Sequence, residues 1–335
     1  MSSMSSLISV SEAVNHAPSV KPRLVDRDYA KALADMGRID ELEALYIPWV
    51  KTPEYLVFKG ENTHDPSAPH RFKASLMAKR GNKAYRLRVN KRLDTLKKLP
   101  NIQWFDYKDV DHTHKTQGVY VTLTLKRWLP CGEMWEKIGE LWAEYADRLD
   151  KRYDGVEYFR VFEAQRDGTP HVHALLFFKS AEFTAFYYND EWRVDEKKDL
   201  EWEHGHVDVV ALSSVQGGFS YLRKYLGKLH QEREVDEVDN KSGFNFNLTN
   251  RTLTLMWAFR KRSYSITKRL GDLIRHLHNS DPPKKLHEVD LDLKPLWKWV
   301  LVGFWAGDLG RWVRDLSIGE YRALKGSPSW SSRCL

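Results

Sequence analysis

The sequence predicts an α+β protein, on three observations. Residues 159–178, FRVFEAQRDGTPHVHALLFF, hold two apolar runs around a polar turn with Asp167-Gly168, the pattern of a β-hairpin. Residues 119–126, VYVTLTLK, form a further run of β-branched and apolar side chains, which favours a strand. Residues 132–153 place Trp135, Ile138, Leu141, Trp142, Tyr145 and Leu149 at the three-to-four spacing of an amphipathic helix.

Taken in order, residues 1–24 are Ser-rich with scattered prolines and read as a flexible tail. Residues 25–115 read as a basic, mainly helical N-terminal region. From 26 to 46, Ala30, Leu33, Ile39, Leu42 and Leu45 recur at helical spacing, interrupted near Gly37. Residues 53–69 read as a loop. Residues 71–98 carry eleven Lys or Arg against the single acid Asp94. A solvated helix face normally mixes signs, so this imbalance points to phosphate contacts by Arg80, Lys83, Arg86, Arg88, Lys91 and Arg92.

Residues 116–235 read as the core domain. After the hairpin, 181–203 read as an insertion or irregular connection, and 206–211 as a short strand. A helix is expected from Ser213 or Ser214 to about His230, with Ser213 and Gln216 spaced as a capping box. Residues 231–240 are polar and acidic, a linker by composition. The last region, 236–335, reads as basic and then Trp-rich and helical. Residues 251–267 begin strand-like with TLTLMWAF and turn basic at Arg260, Lys261 and Arg262, which join the DNA-binding candidates. Trp297, Trp299, Trp305 and Trp312 suggest a helical rhythm, and 299–306 a buried or amphipathic helix.

In a strand, residues two apart share a face, so His171 and His173 point the same way. Glu163 lies on the opposing strand a few residues before the turn. Two imidazoles and a carboxylate on one sheet face suit a divalent metal. The pairs His112/His114 and His204/His206 have the same spacing but sit in polar or glycine-containing surroundings, without a Glu-bearing strand ahead of them. On the following helix Tyr221 and Tyr225 are one turn apart and share a face. Lys224 and Lys228 follow them at three residues each. A phenol titrates near ~10 and is a weak nucleophile when neutral; a nearby ammonium and a metal-polarised target offset that.

The formal net charge is +7, which suits a polyanionic partner. Cys131 and Cys334, far apart in sequence, make neither a disulfide framework nor a zinc ligand set, so a reducing interior is expected. No apolar run reaches the ~18 residues of a membrane span, and the N-terminus lacks a signal-peptide pattern. The expectation is a protein of the host cytoplasm with no membrane partner. A GxxxxGK[ST] phosphate loop is absent from the sequence, so a helicase would come from the host.

These motifs together resemble the HUH endonuclease superfamily, in particular the replication initiators (Rep proteins) of rolling-circle plasmids and viruses. VYVTLTLK resembles that family's first, apolar-strand motif. DGTPHVHALLFF resembles the second, with Glu163 where many Reps carry a further ligand, and YLRKYLGK (221–228) resembles the third. The paired tyrosines are similar to those of the gene A proteins of small isometric phages. WAFRKRSYS (257–265) is similar to a stretch in archaeal plasmid and virus Reps. The resemblance covers roughly residues 116–232, and more weakly to about 268.

The resemblance implies a central antiparallel sheet of the HUH type with flanking helices, extended by helical N- and C-terminal regions. It implies Mg²⁺ or Mn²⁺ held by Glu163, His171 and His173, and attack on single-stranded DNA at a replication origin by a tyrosine. Tyr225 fits the hydrophobic-x-x-Tyr-hydrophobic-x-Lys pattern through Leu222, Leu226 and Lys228; Tyr221 has Gly218 at the first position. A host helicase and polymerase are the implied partners. The rivals are an HUH transposase or relaxase with the same chemistry, a DNA-binding protein that does not cut, and a non-haem-iron oxygenase using the same ligand set. Relaxases place the tyrosine before the histidines; here it follows them, as in Reps and the small HUH transposases.

Overall fold

The computed structural model describes residues 25–126, 129–230, 246–279 and 297–306, with the side chains of 92–93, 223–230, 246–248, 278–279 and 302–306 left aside. The expected tail at 1–24 and linker at 231–240 lie outside the described residues. In chain order the first elements are helices α1 (Arg27–Asp35) and α2 (Ile39–Lys51), strands β1 (Glu54–Asn62) and β2 (Arg71–Leu76), and helix α3 (Lys83–Asp94). Then come β3 (His114–Thr116), β4 (Gly118–Leu125), the long helix α4 (Cys131–Arg152), and the hairpin β5 (Val156–Ala164) and β6 (Pro170–Phe178). They are followed by β7 (Phe183–Tyr188), β8 (Glu191–Val194), β9 (Gly205–Ala211), α5 (Val215–His230), α6 (Phe246–Ala258), β10 (Tyr264–Ile266), α7 (Lys268–Asn279) and β11 (Trp297–Ala306).

The chain divides into two compact units. One comprises residues 48–88 with the C-terminal strand; its sheet has the order β11-β1-β2, antiparallel throughout. Lys79 is buried there, held by the Glu54 carboxylate at 2.6 Å and by the carbonyls of Trp49 and Thr52 at 2.9 and 2.8 Å. Burying an ammonium requires such pairing, so this member of the basic run is structural.

The other unit comprises 25–47 and 89–281 and is built on a five-stranded antiparallel sheet, β10-β5-β6-β4-β9. A small sheet, β3-β7-β8, accompanies it. The α+β class with a central antiparallel sheet and flanking helices is therefore observed. Strand alternation gives the large sheet two different faces. One carries Val121, Leu123, Phe162, Val172, Ala174 and Leu176, all buried. Helix α4 packs on it with Trp135, Ile138, Trp142 and Leu149; Trp135 meets Phe162 and Trp142 meets Tyr158 edge-on at 6.3 and 5.1 Å. The opposite face is polar toward the hairpin turn and apolar toward the far end, where α5 seats Phe219 against Phe159 and Phe177. Among the described residues no helix is long and apolar enough to cross a membrane.

The hairpin turn fixes the register that the polar face depends on. Gly168 has φ 88°, a left-handed conformation, and its carbonyl accepts the indole N–H of Trp135 at 2.7 Å. A Cβ at this position would lie 2.2 Å from Ile39 Cδ1 and 3.1 Å from Cys131 Sγ. Gly168→Ala is therefore expected to destabilise by about 2–4 kcal/mol, through backbone strain and overpacking together. Equilibrium urea unfolding of the variant against the parent measures it; an unchanged midpoint would show that the turn relaxes freely.

Three segments differ from the sequence expectations. Residues 54–62, expected as loop, form β1. Residues 251–258, expected to begin as a strand, lie in α6. That run is apolar on successive positions, a pattern shared by buried helices and buried strands. Its neighbours decide: α6 packs on β5, α5 and α1, and Thr252 Oγ1 accepts the β5 N–H of Ala164 at 2.9 Å. Residues 299–306, expected as helix, are strand. WKWVLVGFWA fits either period, and pairing with β1 from Asn62↔Trp297 to Glu54↔Ala306 settles it, with one bulge at Val57/Phe58.

Candidate functional site

Register places the candidate ligands on one face. Glu163 pairs with His171, and Val161 with His173, across β5 and β6. Directly paired residues share a side of the sheet, so Glu163, His171 and His173 all emerge toward α5. On the other flank of β6, Thr124 pairs with His171 and Thr122 with His173. Strand β9 extends the same two rows with His206 opposite Thr124 and Asp208 opposite Thr122. The face thus carries one polar row, Glu163–His171–Thr124–His206, and a second holding His173, Thr122 and Asp208.

His173 is buried and hydrogen-bonded at both ring nitrogens. Its Nε2 donates to Glu163 Oε2 at 2.8 Å. Its Nδ1 accepts the hydroxyl of buried Tyr120 at 2.6 Å, with Thr122 Oγ1 at 3.3 Å. His171 Nε2 meets Thr124 Oγ1 at 3.0 Å and the side-chain amide of Gln165. The two imidazole centroids are 5.9 Å apart. Among the described residues no three His, Cys, Asp or Glu side chains have their donor atoms gathered around one point. Glu163 and His173 are already together, and His171 shares their face but turns its ring to Thr124 and Gln165. The donor chemistry nevertheless fits a divalent ion: two imidazoles, one carboxylate and a neutral His171.

That neutrality has a physical cause. Burial first, and then the charge of neighbouring His173, push His171 down to about 4 from the ordinary 6.5. The unfolded chain therefore takes up this proton before the folded chain as pH falls. The stability this group contributes is intact above about pH 6.5 and is lost toward pH 4. The loss is on the order of 3 kcal/mol. Urea unfolding of metal-free protein at pH 7 and pH 4.5 tests this: His171→Gln should show a shallower loss than the parent. Equal slopes would mean that His171 takes up its proton without cost in the folded chain.

Helix α5 crosses this face. Ser214 caps it, its Oγ accepting the N–H of Gly217 at 3.0 Å. The expected capping box is not formed; Gln216 instead donates its amide to the carbonyls of Leu99 and Leu96 at 2.8 and 3.3 Å. Gly218 lies tight on the sheet, where an added Cβ would come within 2.8 Å of Leu212 and 3.2 Å of Leu175. One turn on, the Tyr221 ring stands edge-on to Tyr120 at 4.5 Å while staying 41 % exposed. Tyr221 is thus two rings removed from the His173–Glu163 pair. Lys224, Tyr225 and Lys228 continue the helix; their side chains lie outside the described residues.

The basic candidates separate. Lys83, Arg88 and Lys91 are exposed on α3, and Arg80 and Arg86 are partly buried beside its start. Arg86 reaches the Gly81 carbonyl at 3.4 Å. The side chain of Arg92 lies outside the described residues. Arg260 and Arg262 are exposed, whereas Lys261 folds back on α4, donating to the Glu136 carbonyl at 2.7 Å. Burial, with Arg27 and Arg160 nearby, lowers the Lys261 pKa. His112 bonds Asp109 at 2.7 Å beside the small sheet, and His204 rests on Trp202.

Sequence reasoning missed Tyr120, Thr122, Thr124, Gln165, His206 and Asp208 as members of this face. The signal was present in part: Tyr120, Thr122 and Thr124 alternate in VYVTLTLK, which marks one side of a strand as polar. Which strand lies beside them is a matter of topology.

Residues 118–230 match a family model for the replication-associated protein ORF2, about the extent of β4 through α5. Over 121 residues the chain is 26 % identical to a protein of Xylella fastidiosa (strain 9a5c) that carries a replication-protein name. The similarity covers 35 % of this chain and 40 % of that relative. No solved structure matches the chain. The match thus falls on the sheet face and helix just described and marks them as similar to a replication-associated domain.

Proposed function

We propose that the chain is a rolling-circle replication initiator that nicks and rejoins single-stranded DNA at an origin through a tyrosine nucleophile. The observation that carries this is the meeting of Glu163, His171 and His173 on one sheet face, under a helix with Tyr221 one turn from Tyr225. The replication-associated match over the same segment supports it. Glu163, His171 and His173 would hold Mg²⁺ or Mn²⁺, which supplies Lewis-acid polarisation of the scissile phosphate.

The chain's own groups do the rest. The Tyr225 phenol gives up its proton to solvent and its oxygen attacks phosphorus in line. The P–O3′ bond breaks, the leaving oxygen takes a proton, and a 5′-phosphotyrosine bond forms beside a free 3′-hydroxyl. Lys224 and Lys228 offset phosphate charge. Tyr221 repeats the attack on the regenerated junction, and the first 3′-hydroxyl displaces the tyrosine to reseal the circle. The exposed cations Lys83, Arg88, Lys91, Arg260 and Arg262 hold the strand. Host helicase and polymerase act on the opened strand, in the host cytoplasm.

The test is a single-turnover reaction with labelled single-stranded oligonucleotides tiling the protein's own replicon, in Mn²⁺ or in EDTA. A metal-dependent, SDS-resistant adduct on a denaturing gel is the expected result. Absence of an adduct with an origin-spanning set and metal present would leave a DNA-binding protein that does not cut.

A further inference from the structure

The three-stranded sheet β11-β1-β2 exposes a face that the reaction does not use. β1 pairs Gly60 with Arg71 on one side and with Trp299 on the other; Phe58 pairs likewise with Lys73 and Leu301. Asn62 pairs with Trp297. All of these therefore project from the same side of the sheet. Gly60 is what lets the side chains converge. A Cβ there would lie 3.0–3.1 Å from three atoms of the Trp299 ring, so the indole lies directly on bare backbone.

The cations reach across the glycine gap on the diagonal. The Arg71 guanidinium carbon sits 4.2 Å from the Trp297 ring centroid, and Lys73 Nζ 5.8 Å from that of Trp299. Neither cation has a carboxylate partner among the described residues. Trp299 and Leu301 remain 38 % and 47 % exposed. An indole laid flat in water beside such cations leaves both an unfilled stacking surface and unneutralised charge.

We propose that this face is a second binding site, which takes single-stranded nucleic acid by stacking unpaired bases on Trp299 and neutralising phosphates with Arg71 and Lys73. A single strand satisfies both halves of the surface at once. Its bases offer free π-faces, and its phosphates recur along the chain. Duplex DNA hides its base faces, so it meets only the charges. A purely apolar protein partner would have to strand the two cations. The site lies in the unit that does not carry the tyrosine helix, and rests on the proposed function only in naming the polyanion as the replicon's own strand.

The experiment is fluorescence anisotropy of the full chain with a labelled single-stranded oligonucleotide in EDTA, which removes cleavage. Trp299→Ala should weaken binding roughly 5- to 150-fold, the cost of one lost base stack, while Trp299→Phe stays within about threefold of the parent. Arg71→Gln with Lys73→Gln should lower the salt slope by roughly 1.4, at ~0.7 per phosphate contact. Duplex of the same sequence should respond to the double Gln variant but not to Trp299→Ala. An oligonucleotide carrying 5-iododeoxyuridine should photocrosslink to the peptide containing Trp299.

Unchanged single-strand affinity in Trp299→Ala, or equal losses for duplex and single strand, would overturn the proposal. So would crosslinks confined to other peptides. If Trp299→Ala fails to fold, the double Gln variant and the crosslink position decide. Adduct formation in the parent together with indifference to Trp299 removes this site and keeps the reaction; Trp299-dependent binding without any adduct does the reverse.

Discussion

Protein carrying both Tyr221→Phe and Tyr225→Phe is expected to form no SDS-resistant adduct with an origin oligonucleotide. A phenyl ring preserves packing and removes the only oxygen that attacks. With the nucleophile gone, the covalent product is absent rather than slowed, unlike the ~10²–10⁴-fold losses typical of a missing general acid or base. Tyr225→Phe alone is expected to block the first cleavage, because Leu222, Leu226 and Lys228 surround it with the pattern the reaction requires. Tyr221→Phe alone is expected to allow cleavage and impair joining. An adduct lost in Tyr221→Phe but kept in Tyr225→Phe would exchange the roles. The contact of Tyr221 with Tyr120 at 4.5 Å makes that a pointed comparison. An adduct that survives in the double variant would remove both tyrosines from the chemistry.

The second large effect concerns the ligand face. His173→Ala is expected to abolish adduct formation at every metal concentration, since it deletes an imidazole donor and the ring that Glu163 and Tyr120 both bond. Tyr120→Phe should behave differently. Its hydroxyl bonds His173 Nδ1 at 2.6 Å, the position from which a partner fixes the ring orientation and basicity of an imidazole ligand. The expected result is a 10- to 100-fold rise in the Mn²⁺ concentration needed for half-maximal adduct, with the rate at saturating metal largely restored. Titrating Mn²⁺ against both variants separates the roles. A Tyr120→Phe loss that saturating metal does not repair would make Tyr120 part of the reaction itself. No loss at all would reduce its bond to core packing.

Much of the candidate site was legible because it is local. His171 and His173 are two apart in a strand, and period two alone puts them on one face. Tyr221 and Tyr225 are four apart in a helix, and period 3.6 does the same. Asp167-Gly168 announced the turn, and Gly168 does adopt the positive φ that such a turn uses. The faces of α4 followed from its apolar spacing, and its tryptophans are where that spacing put them, buried on the sheet. Each of these is a property of a few neighbouring residues.

What failed in the sequence were segments whose local pattern is degenerate. TLTLMWA and WKWVLVGFWA are apolar at nearly every position, so neither period stands out. The first became helix because β5, α5 and α1 enclose it; the second became strand because β1 offers it a complete ladder. The same holds for the second ring of site residues. Tyr120 meets His173, and His206 joins the row of His171, only because β4 lies between β6 and β9 in the sheet. Trp299 lies flat on Gly60 only because chain segments some 240 residues apart in sequence pair as neighbours. The sequence by itself determined which side chains share a face of each helix and strand, since backbone periodicity needs no partner. Tertiary structure alone decided which faces meet, because strand order and the choice between buried helix and buried strand are set by hydrogen bonds and apolar contacts between segments remote in the chain.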